Sequence, residues 1–212
     1  MIVISDMMGT LTTGSPVLGI VDWIRNHQSR LQAEWLTARM MPGYLLTKTG
    51  FIDEQLWKQQ AMVDSLTWVR EVTPEKFASV AEWTVEKNLW PRRRPEVIER
   101  LSWFVQQGAQ VYLASSVVTP IAQLFASRFG AQAIGTPVSI SQGRIHLPNG
   151  LVTHERKIQE VFSQLQISRV DYALGDSYMD IPMLENADHP IAVHPDQRLL
   201  AAAKQHSWEV LG

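Results

Sequence analysis

Apolar residues recur along this chain at two spacings. Short aliphatic runs, IVIS at 2–5, VYLAS at 111–115 and YALGDS at 172–177, each end at a Ser or an Asp. That is the pattern of strands buried on both faces of a parallel sheet. The second run leads into SVVTPIAQLFASRF, whose apolar positions fall at helical spacing, with Gly130 as its stop. The third leads into MDIPMLENA, a short helix, followed by the strand-like PIAV at 190–193.

Residues 17–90 carry helical spacing without strand alternation. PG at 42–43 is expected to separate VDWIRNHQSRLQAEWLTARM from a short LLTKTG connection, and TP at 73–74 to open the helix EKFASVAEWTVEKNL. The stretch reads as an inserted helical cap hinged at TTGSP (12–16) and WPRRRPE (90–96). A smaller insertion, TPVSISQGRIHLPNG, has apolar residues alternating around SQG as in a β-hairpin. The expected architecture is α/β: a Rossmann-like parallel sheet flanked by helices in a core of residues 1–14 and 95–212, with a helical cap at 15–94.

Composition narrows the function. In 212 residues, 19 basic side chains stand against 21 acidic ones, a net charge of −2, so no positive field favours nucleic acid or an anionic membrane. Cysteine is absent, which excludes a disulfide scaffold, a thiolate metal site and a thiol nucleophile. The apolar run at 1–4 is too short for a signal-peptide core, and no later stretch reaches membrane-spanning length. A soluble cytoplasmic protein is the expectation; its oligomeric state cannot be read from the sequence.

In open parallel sheets, side chains at the carboxyl ends of neighbouring strands converge on one crevice, which brings Asp6, Ser115 and Asp176 together. With SDMMGTLT at 5–12, LASS at 113–116, Lys157 in HERKIQEV and LGDSYMDIPML at 174–184, in that order around a helical insertion, the chain resembles the haloacid dehalogenase-like hydrolase superfamily. Its carboxyl-terminal part is similar to the phosphoserine phosphatase-like branch. The resemblance implies a Mg²⁺-dependent phosphatase in which Asp6 is the nucleophile that accepts the phosphoryl group. Mg²⁺ would be held by Asp6, Asp176 and the backbone carbonyl of Met8. Ser115, or its neighbour Ser116, would bind a phosphoryl oxygen. Lys157 would neutralise developing charge, and Asp180 would orient metal-bound water or pair with Lys157. Gly9 would permit close backbone approach, and Thr10 would cap the turn or contact phosphate. The implied substrate is a small phosphorylated metabolite selected by the cap, where Arg25, Arg39 and Lys48 are candidates for recognising it.

Met8 departs from that pattern. Family phosphatases usually carry Asp two residues after the nucleophile, as the acid and base for the leaving group and the attacking water. Methionine can neither give nor take a proton, so three readings stay open: an impaired phosphatase, a phosphate-binding regulatory protein, or another reaction such as carbon–halogen or carbon–phosphorus cleavage. Other features call for no chemistry. Arg92–Arg94 reads as a solvated hinge, and tryptophans 23, 35, 57, 68 and 83 as packing between cap helices. His154, His189 and His194 lack metal-ligand spacing.

Overall fold

A computed structural model describes residues 1–152 and 154–212, without the side chains of Gln55, His154 and Glu155. His154, to which the sequence assigns no chemistry, therefore lies outside the described side chains. In chain order the elements are β1 (Ile2–Asp6), α1 (Pro16–His27), α2 (Arg30–Lys48), α3 (Glu54–Thr67), α4 (Pro74–Thr84), α5 (Pro95–Gln106), β2 (Gln110–Val118), α6 (Thr119–Ser127) and β3 (Gln132–Thr136). They continue as β4 (Ser139–Ser141), β5 (Arg144–His146), α7 (His154–Leu165), β6 (Val170–Gly175), α8 (Ile181–Leu184), β7 (Ala187–Val193), α9 (Gln197–His206) and β8 (Glu209–Leu211).

Six strands form one parallel sheet in the order β3-β2-β1-β6-β7-β8. β1 lies between β2 and β6, where the strand order reverses, and the carboxyl ends at such a point open onto a crevice. Val3, Ile4 and Ser5 are fully buried, which is why this strand reads as a continuous apolar run rather than an alternating one. The α/β, Rossmann-like sheet expected from the sequence is the observed fold.

The chain forms two compact units. One comprises Met1–Gly14, Arg92–Pro137 and Asn149–Gly212; the other comprises Ser15–Pro91 and Val138–Pro148. Two boundaries differ from the expected ones. Residues 92–94 go with the sheet because the Thr13 amide donates to the Arg92 carbonyl (3.0 Å) and the Arg94 amide to the Leu11 carbonyl (2.7 Å). The hairpin β4–β5 goes with the helices, tied by the Val72 amide donating to the Gly143 carbonyl (2.9 Å). Gln142 and Gly143 both have positive φ, 52° and 69°, as a two-residue primed turn requires.

Three local expectations are corrected. The break between the first two helices falls at Gln28–Ser29, where the Ser29 hydroxyl caps α2 by accepting from the Gln32 amide. Pro42 lies inside α2 on an exposed stretch, where the carbonyl that loses its helical partner is not forced into the core. β2 continues through two β-branched residues to Val118, so α6 begins only at Thr119, with Pro120 in its first turn. After Asp176 comes a single tight turn, Tyr178–Asp180, and then the four residues of α8.

Within the helical unit, Trp23 donates to the Ser79 hydroxyl (3.1 Å) and Trp83 to the Asp22 carboxylate (2.9 Å), joining α1 to α4. Gly19 meets Thr84 so closely that a Cβ there would lie 2.7 Å from its methyl group. Trp35 does not follow this pattern: it stacks on Trp68 yet remains 52% exposed.

Candidate active site

β1 delivers Asp6 to the carboxyl edge of the sheet, and the turn after it does the rest. The amides of Leu11 and Thr12 donate to the Met7 carbonyl (2.9 and 3.3 Å), and the Gly9 amide donates to that of Thr12 (2.9 Å). These bonds use the carbonyls of Met7 and Thr12 and leave that of Met8 outside the turn's own ladder. Gly9 has φ +97°, and a Cβ there would overlap the Asp176 carboxylate, so only glycine lets the two segments meet. The turn places the buried Thr10 hydroxyl 3.2 Å from Asp6 Oδ2 and 2.9 Å from Asp176 Oδ1.

Asp176 and Asp180 come from the end of β6. Asp180 is 2% exposed, and its Oδ2 accepts from the amides of Asp176 (3.3 Å) and Ser177 (3.2 Å) and from the Ser177 hydroxyl (3.2 Å). Its other oxygen accepts from Lys157 Nζ (3.2 Å), which also donates to Asp6 Oδ1. Lys157, from α7, is 4% exposed, so its ammonium is neutralised by these carboxylates rather than by water. One carboxylate oxygen from each of Asp6, Asp176 and Asp180 lies within 4.8 Å of the others.

Three carboxylates around one ammonium leave a surplus of negative charge. Burial pushes the Asp6 carboxyl up to about 6; Lys157 opposes the rise and the Asp180 charge adds to it. Burial, then the charges of Asp6 and Asp180, push Asp176 up to about 7. For Lys157 burial works against the charged form, but Asp180 and Asp6 outweigh it and hold the ammonium above its ordinary range. A hard divalent cation suits this donor set: it would meet oxygen ligands only and would cancel the surplus charge. Asp180 Oδ2 already accepts three hydrogen bonds, whereas Asp6 Oδ1 accepts from Lys157 and Asp6 Oδ2 and Asp176 Oδ1 share the Thr10 hydroxyl, which leaves lone pairs on those two carboxylates for the cation.

Ser115 is buried one residue beyond Ala114, the register partner of Asp6. Its Oγ accepts from the Val117 amide (3.2 Å), which leaves its O–H to donate; among the described residues it makes no hydrogen bond to the carboxylate cluster. Ser116 is half-buried, and its carbonyl accepts from Thr136 (2.8 Å). The three cap cations belong to the helical unit. Arg25 faces Asp22 (3.5 Å) and Glu34 (3.3 Å), Arg39 lies over the Trp35 ring, and Lys48 pairs with Glu54 (3.6 Å) over Tyr44. His189 stacks on Tyr172, and His194 Nε2 lies 3.3 Å from Glu96.

Two contributors were not singled out from the sequence. Arg94, taken there as part of a solvated hinge, is half-buried and donates from Nε to the Gly9 carbonyl (2.9 Å), bracing the turn that carries Thr10. A run of three arginines gives no sign of which one turns inward. Gly175 sits where a Cβ would lie 2.5 Å from that of Asp180. Its position at the end of a strand, directly before an acid, was the available signal.

The haloacid dehalogenase-like hydrolase family matches residues 3–185, and the chain belongs to that family. It is similar to a histidinol-phosphatase of Neisseria meningitidis serogroup C (strain 8013), 30% identical over 109 residues, covering 45% of this chain and 46% of that protein. It is also similar to the phosphoserine phosphatase SerB1 of Mycobacterium tuberculosis (strain ATCC 25618 / H37Rv), 31% identical over 134 residues, covering 59% of this chain and 42% of that protein. The chain thus spans less than half the length of these curated relatives. Among solved structures, a protein of unknown function from Bordetella pertussis Tohama I superposes over 100% of this chain and 97% of its own, with a TM-score of 0.79 at 20% identity. Within the family, the resemblance is to the phosphoserine phosphatase-like branch.

Proposed function

We propose that this chain is a Mg²⁺-dependent phosphatase that hydrolyses a small phosphomonoester through a phosphorylated Asp6. The observation that carries the reading is Lys157, buried and shared between Asp6 and Asp180 beside Asp176. Asp6, Asp176 and the Met8 carbonyl would hold Mg²⁺, which when bound offsets the negative charge of an incoming phosphate.

Asp6 attacks phosphorus in line, forming an acyl phosphate as the ester oxygen departs with the bonding pair. Lys157 stays protonated at neutral pH and balances the charge spreading over the phosphoryl oxygens. Ser115 contributes a hydroxyl donor from within β2, three residues before its end. Thr10 holds Asp6 and Asp176 at a fixed separation and so limits motion of the attacking carboxylate. Water then attacks phosphorus as the bond from phosphorus to Asp6 breaks, returning the carboxylate and releasing phosphate; the proton that water loses and the one that the departed alkoxide gains are exchanged with solvent. Asp180, whose Oδ2 accepts three hydrogen bonds from the Asp176–Ser177 segment and whose Oδ1 accepts from Lys157, positions Lys157 and the Asp176 loop rather than taking part itself.

With Met8 two residues beyond the nucleophile, no side chain at that position protonates an alkoxide. Esters whose leaving groups depart as stable anions are therefore favoured. Purified protein with Mg²⁺ is expected to turn over p-nitrophenyl phosphate and to turn over alkyl phosphates slowly. Mass spectrometry should find one phosphoryl group on Asp6, absent from Asp6→Asn. Met8→Asp should raise alkyl-phosphate turnover by about 10²–10⁴-fold, the usual contribution of a positioned acid. Failure of every ester to phosphorylate Asp6 would overturn this reading in favour of a phosphate-binding protein.

A further inference from the structure

We propose that this chain forms a two-fold symmetric homodimer in which α2 packs antiparallel against the α2 of a second copy. α2 is apolar on two opposite faces. Ala33, Leu36 and Thr47 are buried and Met40 is half-buried, on the side that meets its own unit. Opposite them, Leu31, Trp35, Ala38, Pro42 and Leu45 recur at spacings of four, three, four and three, the seam of one helix lying along another. All five are exposed, Leu31 at 83% and Leu45 at 57%. Phe51, also 83% exposed, extends the seam beyond the helix, where its amide donates to the Leu46 carbonyl (3.1 Å).

Exposure and charge both point to a second copy as the occupant. Leu31, Trp35, Leu45 and Phe51 are each more than half exposed along one line, a contiguous apolar strip of the kind that marks a protein interface. In the antiparallel register that sets Trp35 against the second copy's Leu45, Glu34 near one end of the seam approaches Lys48 near the other, and symmetry makes this contact twice. Both side chains flank the seam, and their present pairings with Arg25 (3.3 Å) and Glu54 (3.6 Å) are exposed and easily exchanged. The inference is independent of the catalytic reading.

Sedimentation equilibrium of the full chain at micromolar concentration is expected to give twice the 24.0 kDa chain mass. Leu31→Glu with Leu45→Glu should weaken association at least ~10-fold, since each puts a carboxylate from both copies into the apolar seam. Leu18→Glu, at a position on α1 that is 56% exposed, should leave it unchanged. Glu34→Lys should also weaken the dimer, and adding Lys48→Glu should restore it. A chain that stays monomeric, or a dimer indifferent to the two leucine substitutions with circular dichroism unchanged, would overturn the proposal. Failure of the charge exchange to rescue would overturn the antiparallel register.

Discussion

The two units depart from ordinary burial in opposite senses. The sheet unit buries two carboxylates and an ammonium beside a third, half-buried carboxylate where hydrocarbon is the rule, and the helical unit exposes a leucine- and tryptophan-bearing seam where polar groups are the rule. Each departure costs free energy in the isolated fold, and each would be relieved by a ligand or partner of matching chemistry. A divalent cation and a phosphate suit the first; a matching helix suits the second. Stability measurements can therefore separate them, because removing buried charge changes unfolding strongly while removing exposed hydrocarbon hardly changes it.

The largest effect is expected at Lys157. Lys157→Met removes the only ammonium in the cluster and leaves Asp6, Asp176 and Asp180 facing one another without a counter-charge. Breaking a buried pair in this way typically costs about 3–5 kcal/mol. Urea unfolding of the metal-free protein at neutral pH should show that loss, and phosphoryl transfer to Asp6 should disappear with it. A loss below ~1 kcal/mol would mean that the ammonium is solvated and that the cluster is not closed.

pH sharpens the same contrast. Asp6 and Asp176 titrate higher in the folded chain, at about 6 and about 7, than the ~3.9 of an unfolded aspartate. The folded state then binds protons more tightly, so this part of the stability is fully present below pH ~4 and lost as pH rises through 6 and 7. Metal-free protein should become more stable by a few kcal/mol when acidified from pH 8 toward 5, before general acid unfolding sets in. Saturating Mg²⁺ should reverse the slope, raising Tm more at pH 8 than at pH 5.5, because cation and protons compete for the same oxygens. A Tm independent of pH and Mg²⁺ would contradict the charge surplus.

Much of this site was legible because its chemistry lies at strand ends. A buried aliphatic run that stops at Asp6 or at Asp176 announces both the strand and the edge where it ends. Lys157 and Asp180 were legible only through the family resemblance, since a lysine in HERK carries no mark of burial. The geometry of approach was less visible. Gly175 makes room for Asp180, and Arg94 braces Gly9, through contacts between segments far apart in sequence. The two faces of α2 mark the limit of periodicity: Leu31 and Leu36 are equally apolar, and only packing decides that one is covered and the other is not.

The close approaches set the next effect. Gly9→Ala adds a methyl group against the Asp176 carboxylate at a φ that L residues avoid, and Gly175→Ala adds one against Asp180. Overpacking of this kind costs about 1–3 kcal/mol. Gly9→Ala should lose Mg²⁺ affinity in isothermal titration before it loses its fold, because its methyl group displaces the Asp176 carboxylate itself, and Gly175→Ala should follow to a smaller extent through Asp180, whose Oδ2 holds the Asp176 amide. Equal loss of stability with unchanged Mg²⁺ affinity would place the strain away from the site.

The smallest effect belongs to the helical unit and completes the contrast. Leu31 and Leu45 make little contact within their own chain, so changing either to Glu exchanges hydrated hydrocarbon for a hydrated carboxylate. Unfolding measured at concentrations where the chain is monomeric should move by no more than ~0.5 kcal/mol, the range of ordinary surface substitutions. At higher concentration the parent chain should gain stability with protein concentration, as association requires, and the substituted chain should not. A concentration-independent destabilisation of 2 kcal/mol or more would place these leucines in the monomer's own core. The seam would then be stabilising the helical unit itself, and the opposition between buried charge and exposed hydrocarbon would fail at α2.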